Sequence, residues 1–308
     1  MTPKERMQTI LDGGTPDAPP HWELVYQIED EVFGLDRPGR RDEAGEIALN
    51  IELMSKLIET YDWGVVYPAA VGGRMSLDGI TRLKKALGGH ALVVAFEWDG
   101  VFWMPSGDRF VDFCVMLYER PDELAGEARR KCDRAKEWVR RMADAGADFF
   151  CLAYDFGFNA GPFISPAHFR ELVAPYLTEI VTAVHDAGLK AILHSDGDLR
   201  LLLDQLHGSG LDGYQSVDPQ GSMDIRLVRE QFPDWILMGN VMSSMMQETV
   251  EDEIRRSVRY CMTHGGMGKR YILSTSNCIF AGMPVRSYEI MLDEYRRIVG
   301  EAEGRHST

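Results

Sequence analysis

The sequence predicts an α/β protein, a (β/α)8 TIM barrel, on three observations. Short apolar runs alternate with amphipathic helical patterns from one end of the chain to the other. Several of the runs are apolar throughout, as parallel strands covered on both faces must be. The runs also end in polar, chemistry-bearing residues, which is how barrel strands meet the face that carries a site. The rival is a doubly wound sheet, but no GxGxxG follows a strand candidate.

In chain order the strand candidates are His21–Tyr26, Gly64–Tyr67, Ala91–Trp98, Phe149–Tyr154, Lys190–His194, Gly213–Val217, Trp235–Met238 and Arg270–Ser274. Among the helices between them, Glu123–Asp144 places Leu124, Ala128, Cys132, Ala135, Val139 and Met142 three or four residues apart, on one face. Ser165 is the expected N-cap of a following helix, with Pro166 in its first turn. Pro68–Gly89 and Asp99–Asp108 are irregular and are expected to elaborate loops over the C-terminal face. No Pro/Ser-rich linker, repeat or low-complexity tract divides the chain, so residues 1–308 read as one domain.

A chain of 308 residues can bury a sizeable core. Its 33 Lys and Arg against 48 Asp and Glu give a net charge of −15. That sign argues against nucleic acid or an anionic membrane as partner. No apolar run approaches bilayer length, and the amino terminus lacks the apolar core of a signal peptide. The five cysteines are scattered and contain no CxxC pair, which fits a reducing cytoplasm. Cys114, Cys132, Cys151 and Cys261 fall on helical or strand patterns and are expected in the core.

The strand ends carry the candidate chemistry. His194 and Asp196 alternate on an extended segment, so both can face the barrel mouth; the competing reading makes Asp196 a cap for a helix over Asp198–Leu206. Cys278 lies in a Ser- and Asn-rich loop after the last strand candidate. An imidazole, a carboxylate and a thiolate converging there would make a three-ligand zinc centre with an open position. Asp155, Glu23 and Asn240 sit at other strand ends and are the candidate catalytic groups. Gln215 and the aromatics Tyr26, Trp98, Phe102, Trp103, Tyr154 and Phe156 are candidates for the substrate pocket.

A series of short segments, in order, resembles the uroporphyrinogen decarboxylase superfamily, which includes cobalamin-dependent methyltransferases. It runs from Thr2–Met7 and Pro20-His21-Trp22 through Ala145–Asp148, Gly161–Pro166 and His185–Gly188 to His194–Gly197 and Gly239-Asn240-Val241. The family's fold is a (β/α)8 barrel. The resemblance departs from true decarboxylases at two places. Trp22 is followed by Glu23 rather than by their arginine-bearing stretch, and Val66-Tyr67-Pro68 stands where they carry Phe-Ser-Asp. Without cationic clamps a polyanionic porphyrinogen would be repelled.

The methyltransferase branch holds zinc by His-x-Cys and a later Cys. The resemblance therefore implies His194, Asp196 and Cys278 as ligands, with Asp196 in place of the middle thiolate. A carboxylate leaves the metal a harder Lewis acid, suited to an oxygen substrate. It further implies transfer of a methyl group from a small methylated donor, a methyl ether or methoxylated aromatic, to a corrinoid (cobalamin) carried by a partner protein. A metal-independent decarboxylase or lyase of the same superfamily is the alternative, and a non-catalytic binding paralogue the third reading. The sequence leaves a homodimer open.

Overall fold

The structure, a computed structural model, describes residues 1–35, 42–266 and 268–306; the remainder of the 1–308 span expected as one domain lies outside them. Seven strands form one parallel sheet in chain order: β1 (Val65–Val66), β2 (Leu92–Glu97), β3 (Phe149–Ala153), β4 (Ala191–His194), β5 (Gly213–Ser216), β6 (Ile236–Gly239) and β7 (Tyr271–Ile272). Every residue of β2, β4, β5 and β6 is buried, as expected for strands covered on both faces. Helices fill the connections, so the architecture is the α/β, barrel-like one expected.

The barrel is not closed by backbone ladders. The first strand candidate, His21–Tyr26, forms no ladder; His21 and Tyr26 make single parallel bridges to Leu273 and Ile279 beyond β7. Backbone bonds join the segments at either end, Trp22 N–H to the Leu273 carbonyl and Gln27 N–H to the Ile279 carbonyl, and between them side chains take backbone donors. The Thr275 N–H donates to the Glu23 carboxylate at 3.0 Å, and the Tyr26 N–H donates to the Tyr67 hydroxyl at 2.9 Å. Tyr67 follows β1, so an aromatic hydroxyl stands where a β1 carbonyl would bind.

Register places the site. Ala153 pairs with His194, and His194 with Gln215, so these three residues lie on one rung across β3, β4 and β5. Asp155 and Asp196 each follow that rung by two residues. At the end of β5, Ser216 and Val217 both take positive φ (98° and 44°), the second a genuine outlier for a β-branched residue. The reversal delivers the Ser216 hydroxyl to the Asp196 carboxylate at 2.7 Å.

Helix Pro121–Asp144 buries Leu124, Ala128, Cys132, Ala135, Val139 and Met142, the face read from spacing. The Ser165 hydroxyl caps Pro166–Leu172 by accepting from the His168 N–H. Two expectations change. Pro68–Gly89 contains a hairpin, Ala70–Val71 with Arg74–Met75, and a helix, Leu77–Leu87. The helix expected over Asp198–Leu206 is instead Leu203–Gly208, and Asp196 caps nothing. Of the cysteines assigned to the core, Cys132, Cys151 and Cys261 are buried and Cys114 is half-buried. Among the described residues no helix is long and apolar enough to cross a membrane.

Candidate active site

His194 ends β4 and is nearly buried. Its Nδ1 donates to Oε1 of Gln215, directly across on β5. An amide oxygen can only accept, so the proton is fixed on Nδ1 and the Nε2 lone pair is left free. That Nε2 lies 3.6 Å from Asp155 Oδ1. Asp155 also accepts the Asp196 backbone N–H at 3.2 Å. The Asp196 carboxylate in turn accepts from the Ser216 hydroxyl and from the Asn277 side-chain amide. Burial pushes the Asp196 pKa up, against the pull of His194 and the Ser216 hydrogen bond.

One donor atom from each of Asp155, His194 and Asp196 lies within 4.8 Å of the other two. A neutral imidazole nitrogen and two carboxylates make a nitrogen–oxygen donor set for a divalent cation, and zinc accepts all three groups. The Gln215 contact is the outer partner that such an imidazole needs to hold its tautomer.

Asp155 and His194 open onto a cavity of about 590 Å³. Its walls are largely apolar, with Leu24, Val25, Leu35, Tyr67, Phe96, Trp98 and Trp103 among them. The helix Glu43–Tyr61 adds Leu49, Asn50 and Leu53, and the hairpin adds Ala70 and Met75. Glu29, Glu46 and Asp155 are its charged groups; among the described residues no Lys or Arg lines it. Trp103 donates its indole N–H to the Trp98 carbonyl at 2.9 Å, which fixes these two walls together.

Cys278 lines the same cavity but is not one of the three grouped donors. Burial pushes its thiol pKa well up, and the Glu23 and Asp196 carboxylates add to the shift. Several residues singled out from sequence lie elsewhere. Glu23 is fully buried behind the wall, its carboxylate accepting from the backbone and hydroxyl of Thr275; burial raises its pKa to about 8 in spite of those bonds. Asn240, at φ 81°, donates its amide to the Val217 and Met223 carbonyls.

Tyr26 packs among Phe33, Tyr61, Trp63 and Tyr288. Tyr154 donates its hydroxyl to Glu97, and Phe102 and Phe156 pack against Phe113 and Phe169. Neither these four aromatics (Tyr26, Phe102, Tyr154 and Phe156) nor Glu23 and Asn240 line the cavity. Strand-end position alone does not separate them from Trp98 and Trp103, because neighbouring residues on a strand point to opposite faces. Sequence reading passed over Ser216 and Asn277, the two groups that orient Asp196; the polar loop around Cys278 was the only signal for the second.

A second grouping, Cys132, Asp133 and Glu179, lies on the outer helices. Glu179 is already matched by Arg129 at 2.6 Å and Lys136 at 2.7 Å, which hold its pKa down to about 2. Cations of the chain occupy the position a metal would need.

A parallel α/β sheet with convergent donors beyond the carboxyl ends of its strands defines a barrel-like protein with a small-molecule site. A sequence profile of the uroporphyrinogen decarboxylase (URO-D) family matches residues 70–298, and the chain belongs to that family. No curated protein matches the sequence significantly. In fold it is similar to a methyltransferase from Methanosarcina mazei, at 15% identity and a TM-score of 0.75, over 97% of this chain and 99% of that one. An amidohydrolase structure is similar at 14% identity and a TM-score of 0.50, over 93% of this chain and 74% of that one.

Proposed function

We propose that the protein is a corrinoid-dependent methyltransferase that takes a methyl group from a small methylated donor, a methyl ether or methoxylated aromatic. The observation that carries the reading is the Asp155–His194–Asp196 donor set, of which Asp155 and His194 open onto a mostly apolar cavity. His194, Asp196 and Asp155 would hold zinc, with Cys278 as the further ligand expected from the resemblance. Bound zinc would supply Lewis acidity toward the donor's oxygen, and a corrinoid on a partner protein the nucleophile that accepts the methyl group.

The chain's own residues prepare that chemistry. Gln215 holds the His194 proton on Nδ1, and Ser216 and Asn277 aim the Asp196 carboxylate. Trp98, Trp103, Tyr67 and Phe96 give the cavity apolar walls, which disfavour water around a bound donor. The lining speaks against a polycarboxylate substrate, since its charged groups among the described residues are all acids. This reading treats residues 1–308 as one domain working in the cytoplasm, consistent with free cysteines.

Elemental analysis of purified wild type, His194→Ala and Asp155→Asn, with methyl transfer from methoxylated aromatics to free cob(I)alamin, tests the reading. Stoichiometric zinc and transfer in the wild type, both lost in the variants, is the expected result. A wild type that neither binds zinc nor transfers methyl groups would overturn it.

A further inference from the structure

A second hollow, of about 610 Å³, adjoins the first and shares Phe96, Trp98 and Trp103 with it. The hairpin divides between the two: Ala70 and Met75 face the first, Gly73 and Arg74 the second. In this acidic chain the second hollow is lined by four cations, Arg74, Lys131, Arg134 and Arg141. Lys131 and Arg134 are matched by Asp99. The other acids nearby are also engaged, Asp133 with Arg129 and Lys136, Glu137 with Arg140, and Glu97 with the Tyr154 hydroxyl.

Arg74 and Arg141 remain. Among the described residues neither has a carboxylate partner, and both guanidinium groups pack on the same indole, Trp138, at 5.5 and 4.6 Å from a ring centroid. Stacking fixes a guanidinium while leaving its N–H donors directed outward, which suits planar, bidentate binding of a carboxylate. Trp98 and Trp103 supply two further aromatic walls.

We propose that this hollow binds an aromatic oxyanion, with Arg74 and Arg141 holding the acid group and the indoles the ring. The ligand is either a free aromatic acid or the far end of a substrate seated in the first cavity.

Benzoate titrated into the purified full chain, followed by tryptophan fluorescence, tests this without turnover, so its failure leaves the methyltransferase reading standing. Trp138 lines this hollow alone, Trp98 and Trp103 line both cavities, and Trp22, Trp63 and Trp235 are buried elsewhere, so the arginine variants assign the signal to this hollow. Arg74 and Arg141 are both exposed, so Arg74→Gln and Arg141→Gln should fold, with melting curves as the check. Saturable quenching by benzoate is expected, with Kd raised about tenfold in each variant and by a similar factor for neutral benzamide. Absence of quenching, or a Kd untouched by both substitutions, would overturn the site, and inorganic phosphate binding as tightly as benzoate would overturn its aromatic character. Mutual exclusion of 4-methoxybenzoate and anisole identifies the acid as a substrate end; independent binding identifies a separate ligand.

Discussion

At the scale of single residues, the site depends on one amide. Gln215 is fully buried, its Oε1 accepts from His194, and its Nε2 has no partner among the described residues. A buried donor left unsatisfied costs about 1–3 kcal/mol, so the side chain is kept for its oxygen rather than for stability. Gln215→Leu therefore should lower zinc affinity about 10- to 100-fold while leaving the melting temperature the same or higher, measured by competition with a chromogenic chelator. Unchanged affinity would show that the imidazole does not need its partner.

Cys278 behaves differently. Its thiol must lose a proton to bind metal, and burial beside two carboxylates opposes that loss. Cys278→Ala is expected to weaken zinc less than Asp155→Asn in the same assay. The reverse order would make the thiolate the principal ligand.

Among the elements, two aspartates repeat one device at the bottom of the sheet. Asp148, just before β3, accepts from the Val93 N–H of β2 at 2.7 Å and binds Lys84 at 2.5 Å. Asp212, just before β5, accepts from the Ala191 N–H of β4 at 2.9 Å and binds Lys190 at 2.8 Å. Each ties the start of one strand to the start of its neighbour, Asp148 joining β3 to β2 and Asp212 joining β5 to β4, and the second helps set the register that brings His194 and Gln215 level. Conserving function while losing stability is the expected signature of this face of a barrel. Asp148→Ala and Asp212→Ala should each cost about 1–3 kcal/mol in urea unfolding with zinc stoichiometry unchanged.

The same scale explains which strands were legible. β2 to β6 lie within a residue or two of their expected bounds; β2, β3, β4 and β6 are mostly apolar runs, as buried parallel strands are, while β5 carries Gln215 and Ser216. His21–Tyr26 has apolar content too, but its backbone pairing is interrupted where Glu23 and Tyr67, brought in by contacts distant in sequence, take backbone donors. Likewise the irregular loop offered Trp98, Phe102 and Trp103 as cavity walls; Trp98 and Trp103 line it, whereas Phe102, like Tyr26, Tyr154 and Phe156, packs inward.

For the whole molecule, two buried groups near the seam give stability a defined pH dependence. His21 is held neutral, with Nδ1 donating to the Leu273 carbonyl and Nε2 accepting from Tyr288; burial lowers its pKa from 6.5 to about 4. Below pH 6.5 the unfolded chain takes up a proton that the folded one refuses, so His21 reduces stability as pH falls toward 4. Glu23 acts in the opposite sense. Burial raises it from 4.5 to about 8, so as pH rises between those values the unfolded chain loses a proton that the folded one keeps, and stability falls.

The two slopes offset between pH 4.5 and 6.5, leaving Glu23 alone from 6.5 to 8. Metal-free wild type should lose about 1.4 kcal/mol per pH unit across that upper window. Glu23→Gln should flatten the slope, measured by urea unfolding at half-unit steps. An equal slope in both proteins would remove Glu23 as its source.

Local periodicity and composition were enough for the alternation of strands and helices, the charge, and the placing of His194, Asp196 and Cys278 at or after strand ends. Tertiary contacts set the rest: Asp155 joins His194 and Asp196, Gln215 serves the imidazole, and side chains interrupt the backbone pairing at the seam beside β7. Those outcomes depend on strand register and on which face each residue presents. Both are fixed by contacts between segments far apart in the chain, where no local pattern reaches.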